Sequence, residues 1–193
     1  MKKHEHSGGG SSHFSDPSSI LRTAGVRAGD ILLDLGCGKG AFSLAASGLT
    51  GPSGKIYALD IYEDSIRELQ KTIKEKSLNN IETVVADAVK TIPLPDKSID
   101  ICIMSNVLHG FVANSELPGI MANLEKIMKR ESRLVIIEFK KSLLSFGPPF
   151  SIKLNEEELK KTLEIYGYEA LSGFKPGPFH YGIVLSRRNI SNL

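Results

Sequence analysis

Apolar residues are concentrated in short runs that alternate with amphipathic segments along the chain. Seven runs predict buried strands, at residues 31–35, 55–60, 81–86, 99–105, 134–139, 170–174 and 183–185. Four segments between them predict helices, at residues 41–49, 66–77, 117–128 and 155–167. Alternating strands and helices are typical of a parallel sheet that has helices on both faces.

The last two predicted strands are an exception, because only a short turn that contains Pro176 and Pro178 separates them. Strands joined in this way pair as an antiparallel hairpin, which we expect at one edge of the sheet. The sequence therefore predicts an α/β fold over residues 18–193. It is a Rossmann-like, doubly wound fold with a mostly parallel seven-stranded sheet and an antiparallel C-terminal hairpin.

Residues 1–17 lack the alternating pattern and are rich in glycine, serine and histidine. This composition predicts a flexible tail. The tail contains His4, His6 and His13, which leave a metal-binding or substrate-access role open. An origin in a cloning vector is a third interpretation. We predict no metal site, because the three histidines have no fixed geometry and no cysteine partners.

The composition is that of one ordinary globular domain, with 193 residues of which 41% are hydrophobic and 24% are charged. It argues against a disordered, collagen-like or membrane-spanning chain. The net charge of +2 provides no basic field for nucleic acid. Cys37 and Cys102 lie in apolar, strand-like runs, which favours free thiols over a disulfide framework. With no apolar signal segment at the N-terminus, we expect a cytoplasmic protein.

The most specific motif is a glycine-rich turn at residues 34–40, between the first predicted strand and the first predicted helix. Glycine lets a ligand approach the backbone closely at such a turn. The first three predicted strands also place an aspartate at the same edge of the sheet, namely Asp34, Asp60 and Asp87. An acidic edge disfavours a pyrophosphate and favours a positively charged ligand with a ribose and an adenine amine. S-adenosylmethionine has this chemistry.

These motifs resemble those of class I S-adenosylmethionine-dependent methyltransferases, in particular the type 11 domains related to quinone-biosynthesis methyltransferases. The matching stretches lie at residues 32–40, 57–60, 86–88, 92–96 and 105–109, within a resemblance that extends from about Leu21 to Leu185. The resemblance implies S-adenosylmethionine as the cofactor. It also implies methyl transfer and release of S-adenosylhomocysteine. We expect a small-molecule acceptor, because the sequence has no basic or aromatic stripe that suits RNA or DNA.

The resemblance further implies a cofactor site at the carboxyl edge of the sheet. Its residues would be Asp34, Gly36, Cys37, Gly38, Gly40, Asp60, Ile61, Asp87, Ala88 and Asn106. The glycines would pass under the methionine part of the cofactor, and Asp34 would face its ammonium group. Asp60 would bind the ribose, Ile61 would cover the adenine face, and Asp87 would bind the adenine amine. Asn106 would lie near the transferred methyl group.

The three aspartates and Cys37 also have purely structural alternatives. Asp60 and Asp87 could cap the helices that follow them, since aspartate is a favoured N-cap. Asp34 could be a buried acid that only braces the glycine turn. Cys37 is expected to be a small packed residue rather than a nucleophile.

The candidate catalytic residue is His109, which follows the fourth strand at the edge where an acceptor would approach the methyl group. A general base helps when the nucleophile carries a proton. The alternative is a hydrogen-bonded structural histidine. We expect Glu138, Lys140 and Lys141 to form a solvated charge cluster at this edge. The pair His180-Tyr181 is interpreted as edge packing, with a substrate role as its alternative.

Two other functions stay open at this stage. Residues 36–41 also fit the looser dinucleotide fingerprint that ends in alanine, so a nicotinamide-dependent oxidoreductase is the first alternative. A non-catalytic cofactor-binding module of the same fold is the second. The stretch 147–150 resembles the Asn/Asp-Pro-Pro-aromatic motif of nucleic-acid amino-methyltransferases. It begins with glycine and follows the wrong strand, so we interpret it as part of a loop over the substrate side.

Overall fold

The computed structural model describes residues 16–143 and 147–188, so the predicted tail histidines lie outside the described residues. Seven strands form one sheet in the order β3-β2-β1-β4-β5-β7-β6. The strands are β1 (Ile31–Leu35), β2 (Lys55–Asp60), β3 (Ile81–Val85), β4 (Ile99–Ser105), β5 (Met128–Phe139), β6 (Tyr168–Phe174) and β7 (His180–Arg187). The first five are parallel, and β7 runs antiparallel between β5 and β6. The predicted sheet and its C-terminal hairpin are confirmed.

The described residues contain six α-helices. They are α1 (Pro17–Thr23), α2 (Ala41–Thr50), α3 (Glu63–Glu75), α4 (Leu108–Ala113), α5 (Leu117–Ile127) and α6 (Glu156–Glu164). A short 3₁₀ helix, Phe150–Ile152, precedes α6. Asn155 and Glu158 form a capping box at the start of α6, as their spacing predicts.

Alternate residues of the central strands face opposite sides of the sheet, and each side is covered by helices. On one side, Leu32 and Ile103 contact the buried residues of α1 and α2. On the other side, Leu33 and Met104 belong to a larger cluster with α4, α5 and α6. Since both faces are buried, the central strands are continuous apolar runs, which is why the sequence predicted them accurately.

The largest differences from the sequence prediction concern two helices and the beginning of one strand. The helix α4 was not predicted, because it is short and contains Gly110. The helix α1 begins at Pro17, the last residue of the predicted tail, and Asp16 caps it. The strand β5 begins at Met128 instead of residue 134, and its first residues are mostly polar. Polar residues give no strand signal in sequence. Only the pairing with β4 in the structure reveals this extension.

Candidate functional site

The carboxyl ends of the parallel strands β1, β2, β4 and β5 lie at one edge of the sheet. Ligands of such sheets bind beyond this edge. The chain that leaves each strand there carries most of the predicted site residues, including the glycine turn and His109. Val107, between β4 and α4, lies directly against the glycine turn. A Cβ atom placed on Gly36 would be only 2.5 Å from the Cγ1 atom of Val107. The fold therefore brings the two predicted parts of the site together.

The glycine turn adopts a backbone that other residues rarely adopt, with φ of 75° at Gly36 and 53° at Gly38. The amides of Gly36 and Cys37 both donate to the carbonyl of Leu59, at 2.8 and 3.0 Å, which fixes the turn against β2. A Cβ atom placed on Gly38 would meet nothing within 4 Å. The turn therefore leaves open space beside Gly38, as close approach of a ligand to the backbone requires.

Asp60 connects this turn to the chain that follows β2. Its Oδ2 accepts the Gly38 amide at 2.7 Å, and its Oδ1 accepts the Tyr62 amide at 2.9 Å. Tyr62 and not Asp60 occupies the N-cap position of α3, so the capping alternative for Asp60 is wrong. Each carboxylate oxygen has a further lone pair, which leaves Asp60 able to accept hydrogen bonds from two ligand hydroxyls. The next residue, Ile61, is 55% exposed and presents an apolar surface beside it.

Asp34 is buried and accepts a hydrogen bond of 2.5 Å from the Ser43 hydroxyl of α2. Burial raises its pKa from 3.8 to about 6, and the nearby charge of Asp60 adds to the increase. These contacts brace β1 against α2, which is the structural role considered for Asp34. Its negative charge also lies within the same edge of the sheet and favours a cationic ligand there.

The raised pKa of Asp34 predicts a specific loss of stability as the pH rises. Between 3.8 and about 6 the folded protein keeps the Asp34 proton while the unfolded chain has lost it, so stability falls with increasing pH. We expect the free energy of unfolding of the ligand-free protein to fall by about 2 kcal/mol between pH 4.5 and 7.5, relative to Asp34→Asn. Urea denaturation of both proteins at the two pH values measures this difference, and parallel pH profiles would contradict it.

Asp87 and Ala88 follow β3. Asp87 accepts the Val89 amide at 3.1 Å and pairs with the Lys90 ammonium at 3.2 Å. Residues 88–90 form a turn, so Asp87 does not cap a helix there and its capping alternative is wrong. Ala88 is buried in the core cluster beside α5. The Asp87 carboxylate keeps partial exposure and can still accept a hydrogen bond from a ligand.

Asn106 is the first residue after β4 and has a left-handed backbone, with φ of 58°. Its amide donates to the Ile137 carbonyl at 2.8 Å, which fixes the turn against β5. Its side-chain Oδ1 is buried, yet it has no hydrogen-bond partner within residues 16–143 and 147–188. An unsatisfied buried acceptor costs about 1–3 kcal/mol, so this position is suited to a ligand that supplies the missing donor.

His109 is bound to a buried glutamate, which we call the His109–Glu138 pair. Glu138 lies near the end of β5, and the two residues are 4% and 1% exposed. The Oε1 atom of Glu138 accepts the His109 backbone amide at 3.1 Å, and its Oε2 lies 2.8 Å from Nδ1. A carboxylate that accepts the Nδ1 proton orients the ring and leaves Nε2 to act on another group. The predicted solvated cluster is therefore wrong for Glu138.

The other residues near this edge have structural contacts. The ammonium of Lys140 donates to the Pro178 carbonyl at 2.7 Å. His180 lies against Phe139, with ring centroids 4.1 Å apart, and Tyr181 donates to the Leu154 carbonyl at 2.8 Å. Burial raises the pKa of Tyr181. These contacts agree with a packing role for His180 and Tyr181, which are buried at the beginning of β7.

The two cysteines are buried free thiols, as the sequence predicted. Cys102 lies in β4, whereas Cys37 lies in the glycine turn and not in a strand, which corrects the interpretation of its apolar neighbourhood. Burial raises the pKa of the Cys37 thiol, and the charge of Asp34 raises it further. A thiol of this kind is a poor nucleophile, which agrees with the packed role expected for Cys37.

An open glycine turn, an acidic edge and a seven-stranded sheet with β7 antiparallel define the class I methyltransferase fold. The chain also matches the methyltransferase domain family over residues 27–173. It therefore belongs to that family.

None of the helices within residues 16–143 and 147–188 is long and apolar enough to cross a membrane.

Individual relatives support this assignment. A SAM dependent methyltransferase from Aquifex aeolicus has a similar structure, with a TM-score of 0.81, 28% identity and 89% coverage of both chains. The demethylmenaquinone methyltransferase of Geobacillus stearothermophilus is 30% identical over 88 residues, which cover 46% of this chain and 37% of that protein. The ubiquinone/menaquinone biosynthesis C-methyltransferase UbiE of Pasteurella multocida is 30% identical over 122 residues, or 63% of this chain and 44% of that protein. The chain thus matches less than half the length of these two relatives.

Proposed function

We propose that this protein transfers the methyl group of S-adenosylmethionine to a small-molecule acceptor and that His109 removes a proton from the acceptor. The observation that carries the proposal is the His109–Glu138 pair, held beside an open glycine turn by the contact between Gly36 and Val107. The family and the fold support the choice of cofactor. They favour a methyltransferase over the nicotinamide-dependent oxidoreductase considered above.

The residues present fit S-adenosylmethionine. In the proposal, the open space beside Gly38 receives the methionine part, and the negative charge of Asp34 favours its ammonium group. Asp60 accepts the two ribose hydroxyls, while the exposed side chain of Ile61 covers the adenine. Asp87 binds the adenine amine, and Ala88 closes the site beneath it.

When bound, S-adenosylmethionine would supply an electrophilic methyl group on a sulfonium centre, whose leaving group is the neutral thioether S-adenosylhomocysteine. The protein must therefore mainly align the acceptor with that methyl group. Glu138 is proposed as a positioning residue that holds the His109 ring with Nε2 toward the acceptor. His109 would hold at Nε2 the proton that the acceptor loses when it displaces S-adenosylhomocysteine from the methyl group. The buried acceptor atom of Asn106 would bind a donor of the cofactor or of the acceptor.

A cytoplasmic location is part of the proposal. The two buried free thiols, Cys37 and Cys102, support it, because a reducing compartment keeps such cysteines unpaired.

Thermal denaturation with three ligands tests the proposed cofactor. We expect S-adenosylmethionine and S-adenosylhomocysteine to raise the melting temperature, because the acidic edge and the open glycine turn suit both molecules. At a ligand concentration about 100 times the dissociation constant, the folded state gains about 2.7 kcal/mol. NAD carries a pyrophosphate that the aspartates repel, so it should leave the melting temperature unchanged. Stabilisation by NAD alone would overturn the methyltransferase proposal in favour of an oxidoreductase.

A further inference from the structure

The turn at residues 88–90 directly follows Asp87, the residue proposed to bind the adenine amine. It is a single turn, in which the amide of Lys90 donates to the Asp87 carbonyl at 3.0 Å. In a longer helix, the carbonyl of Val89 would accept the amide of the residue four positions later. That position holds Pro93, which has no amide hydrogen. The carbonyl of Val89 therefore requires a donor from another element or from solvent.

Asn123 of α5 provides this donor. Its side-chain Nδ2 donates to the carbonyl of Ala88 at 2.9 Å and to the carbonyl of Val89 at 3.2 Å. Asn123 lies beside the apolar stripe of α5, whose buried members include Ile120 and Leu124. The two hydrogen bonds join residues 35 and 34 positions apart, so they form only when α5 packs against the turn.

Gly119 allows α5 to come this close to the turn. It lies four residues before Asn123, so the two residues share one face of the helix. A Cβ atom placed on Gly119 would be 2.9 Å from the carbonyl oxygen of Val89 and 3.2 Å from its Cγ1 atom. A backbone oxygen cannot move aside as the end of a flexible side chain can. A larger residue at position 119 would therefore push the turn and the helix apart.

Val89 connects Asn123 to the carboxylate of Asp87. Its carbonyl accepts a hydrogen bond from Asn123, and its amide donates to Oδ1 of Asp87 at 3.1 Å. The Lys90 ammonium lies 3.2 Å from Oδ2 of the same carboxylate, but the Lys90 side chain is 81% exposed. An exposed ion pair holds its partners only weakly. The orientation of the Asp87 carboxylate thus depends mainly on Val89, which Asn123 fixes.

We propose that Asn123 is a positioning residue that determines the preference of the cofactor site for adenine. By fixing the turn at residues 88–90, it holds the Asp87 carboxylate where this group accepts a hydrogen bond from the adenine amine. A site built around such an acceptor discriminates against a base that carries a carbonyl in place of the amine, because two acceptors then face each other. The inference rests on the proposed function, which supplies the cofactor and the role of Asp87.

S-adenosylhomocysteine and S-inosylhomocysteine are matched probes for this preference. They differ only in the base, since hypoxanthine carries a carbonyl in place of the adenine amine. Calorimetric titration of both ligands gives two affinities, whose ratio measures the preference. We expect the wild type to bind S-adenosylhomocysteine at least about tenfold more tightly, and we expect Asn123→Ala to lower the ratio about tenfold. The variant should fold, because alanine favours a helix more than asparagine does.

A second background tests whether the effect passes through Asp87. Asp87→Ala removes the carboxylate that Asn123 is proposed to position, so the addition of Asn123→Ala should leave the ratio unchanged there. Asn114→Ala is the control, because Asn114 is exposed between α4 and α5 and its amide donates to Glu116 at 3.3 Å. We expect this control to keep the wild-type ratio. An equal decrease of the ratio in the control would overturn the inference.

Gly119→Ala disturbs the same turn without removing a hydrogen-bond donor. The added Cβ atom displaces the Val89 carbonyl, so we expect the preference for S-adenosylhomocysteine to fall in this variant too. Alanine also strengthens α5 itself, which separates the loss of preference from a loss of helix stability. If Asn123→Ala does not fold, Gly119→Ala decides the outcome.

The order of the titrations separates this inference from the proposed function. S-adenosylhomocysteine is titrated first, into the wild type. If it does not bind, the proposed function fails and the inference fails with it. If it binds, equal affinities of the wild type for the two ligands would overturn the inference alone. A purely structural role of Asn123 would weaken the binding of both ligands by the same factor, and this unchanged ratio would also overturn the inference alone.

Discussion

Replacement of Asp60 by asparagine will weaken the binding of S-adenosylhomocysteine roughly 10–100-fold, because a hydrogen bond to a charged group contributes about 1.5–3 kcal/mol. The two oxygens of Asp60 already accept the amides of Gly38 and Tyr62. Asparagine replaces one of these oxygens with an NH₂ group, which must face one of the two amide donors. The variant therefore loses the negative charge, one ribose acceptor and one of the contacts that fix the glycine turn.

Asp64→Asn is the matched control for Asp60→Asn. Asp64 lies four residues further along the chain, in the first turn of α3, and its side chain is 91% exposed. The control therefore removes the same charge from nearly the same region without touching the glycine turn. Calorimetric titration with S-adenosylhomocysteine, at a temperature where both variants are folded, gives the two affinities. Wild-type affinity in Asp60→Asn would remove Asp60 from the proposed ribose site.

The central strands could be predicted from sequence because each one is buried on both faces. The run at 55–60 has the same bounds in the structure, and so does the run at 99–105. Their apolar character is continuous, and such a pattern depends on burial alone. The hairpin of β6 and β7 was predicted for a similar reason, because the turn between them is too short for a helix. The sequence also predicted that Asp60 and Asn106 lie at strand ends. Asp60 ends one apolar run and Asn106 directly follows another, so the bounds of the runs determine both positions.

The interactions of those residues could not be predicted, because they join distant parts of the chain. Glu138 was expected to be solvated, yet it contacts a histidine 29 positions earlier. A charged residue at the end of a strand carries no sequence signal of its partner. Asp34 and Ser43 are nine positions apart and meet only when β1 and α2 pack together.

Replacement of His109 by alanine will lower the rate of methyl transfer by about 10²–10⁴-fold, the usual contribution of a general base, while the affinity for S-adenosylhomocysteine stays close to that of the wild type. The three aspartates proposed to bind the cofactor, Asp34, Asp60 and Asp87, lie at the ends of other strands, which is why the two effects separate. The rate is measured as labelled product, from S-adenosylmethionine with a labelled methyl group and a small-molecule extract as the source of the acceptor. A large loss of cofactor affinity would instead place His109 in the cofactor site.

Glu138→Gln tests whether the pair acts through the orientation of the histidine. The Glu138 oxygens accept the His109 amide and lie 2.8 Å from Nδ1. A glutamine that still accepts the backbone amide presents its NH₂ group to Nδ1, so the ring proton moves to Nε2 and the imidazole can no longer act as a base there. We expect a rate loss approaching that of His109→Ala, together with a change of tautomer in the ¹⁵N spectrum of the imidazole.

Glu131→Gln makes the same chemical change at an exposed position on the same strand and should alter neither the rate nor the spectrum. A purely structural role of the His109–Glu138 pair predicts a different pattern. Glu138→Gln would then lower the melting temperature, and the folded enzyme would transfer methyl groups at the wild-type rate with the altered tautomer. That outcome would show that His109 does not take the acceptor proton and that the buried pair only joins α4 to β5.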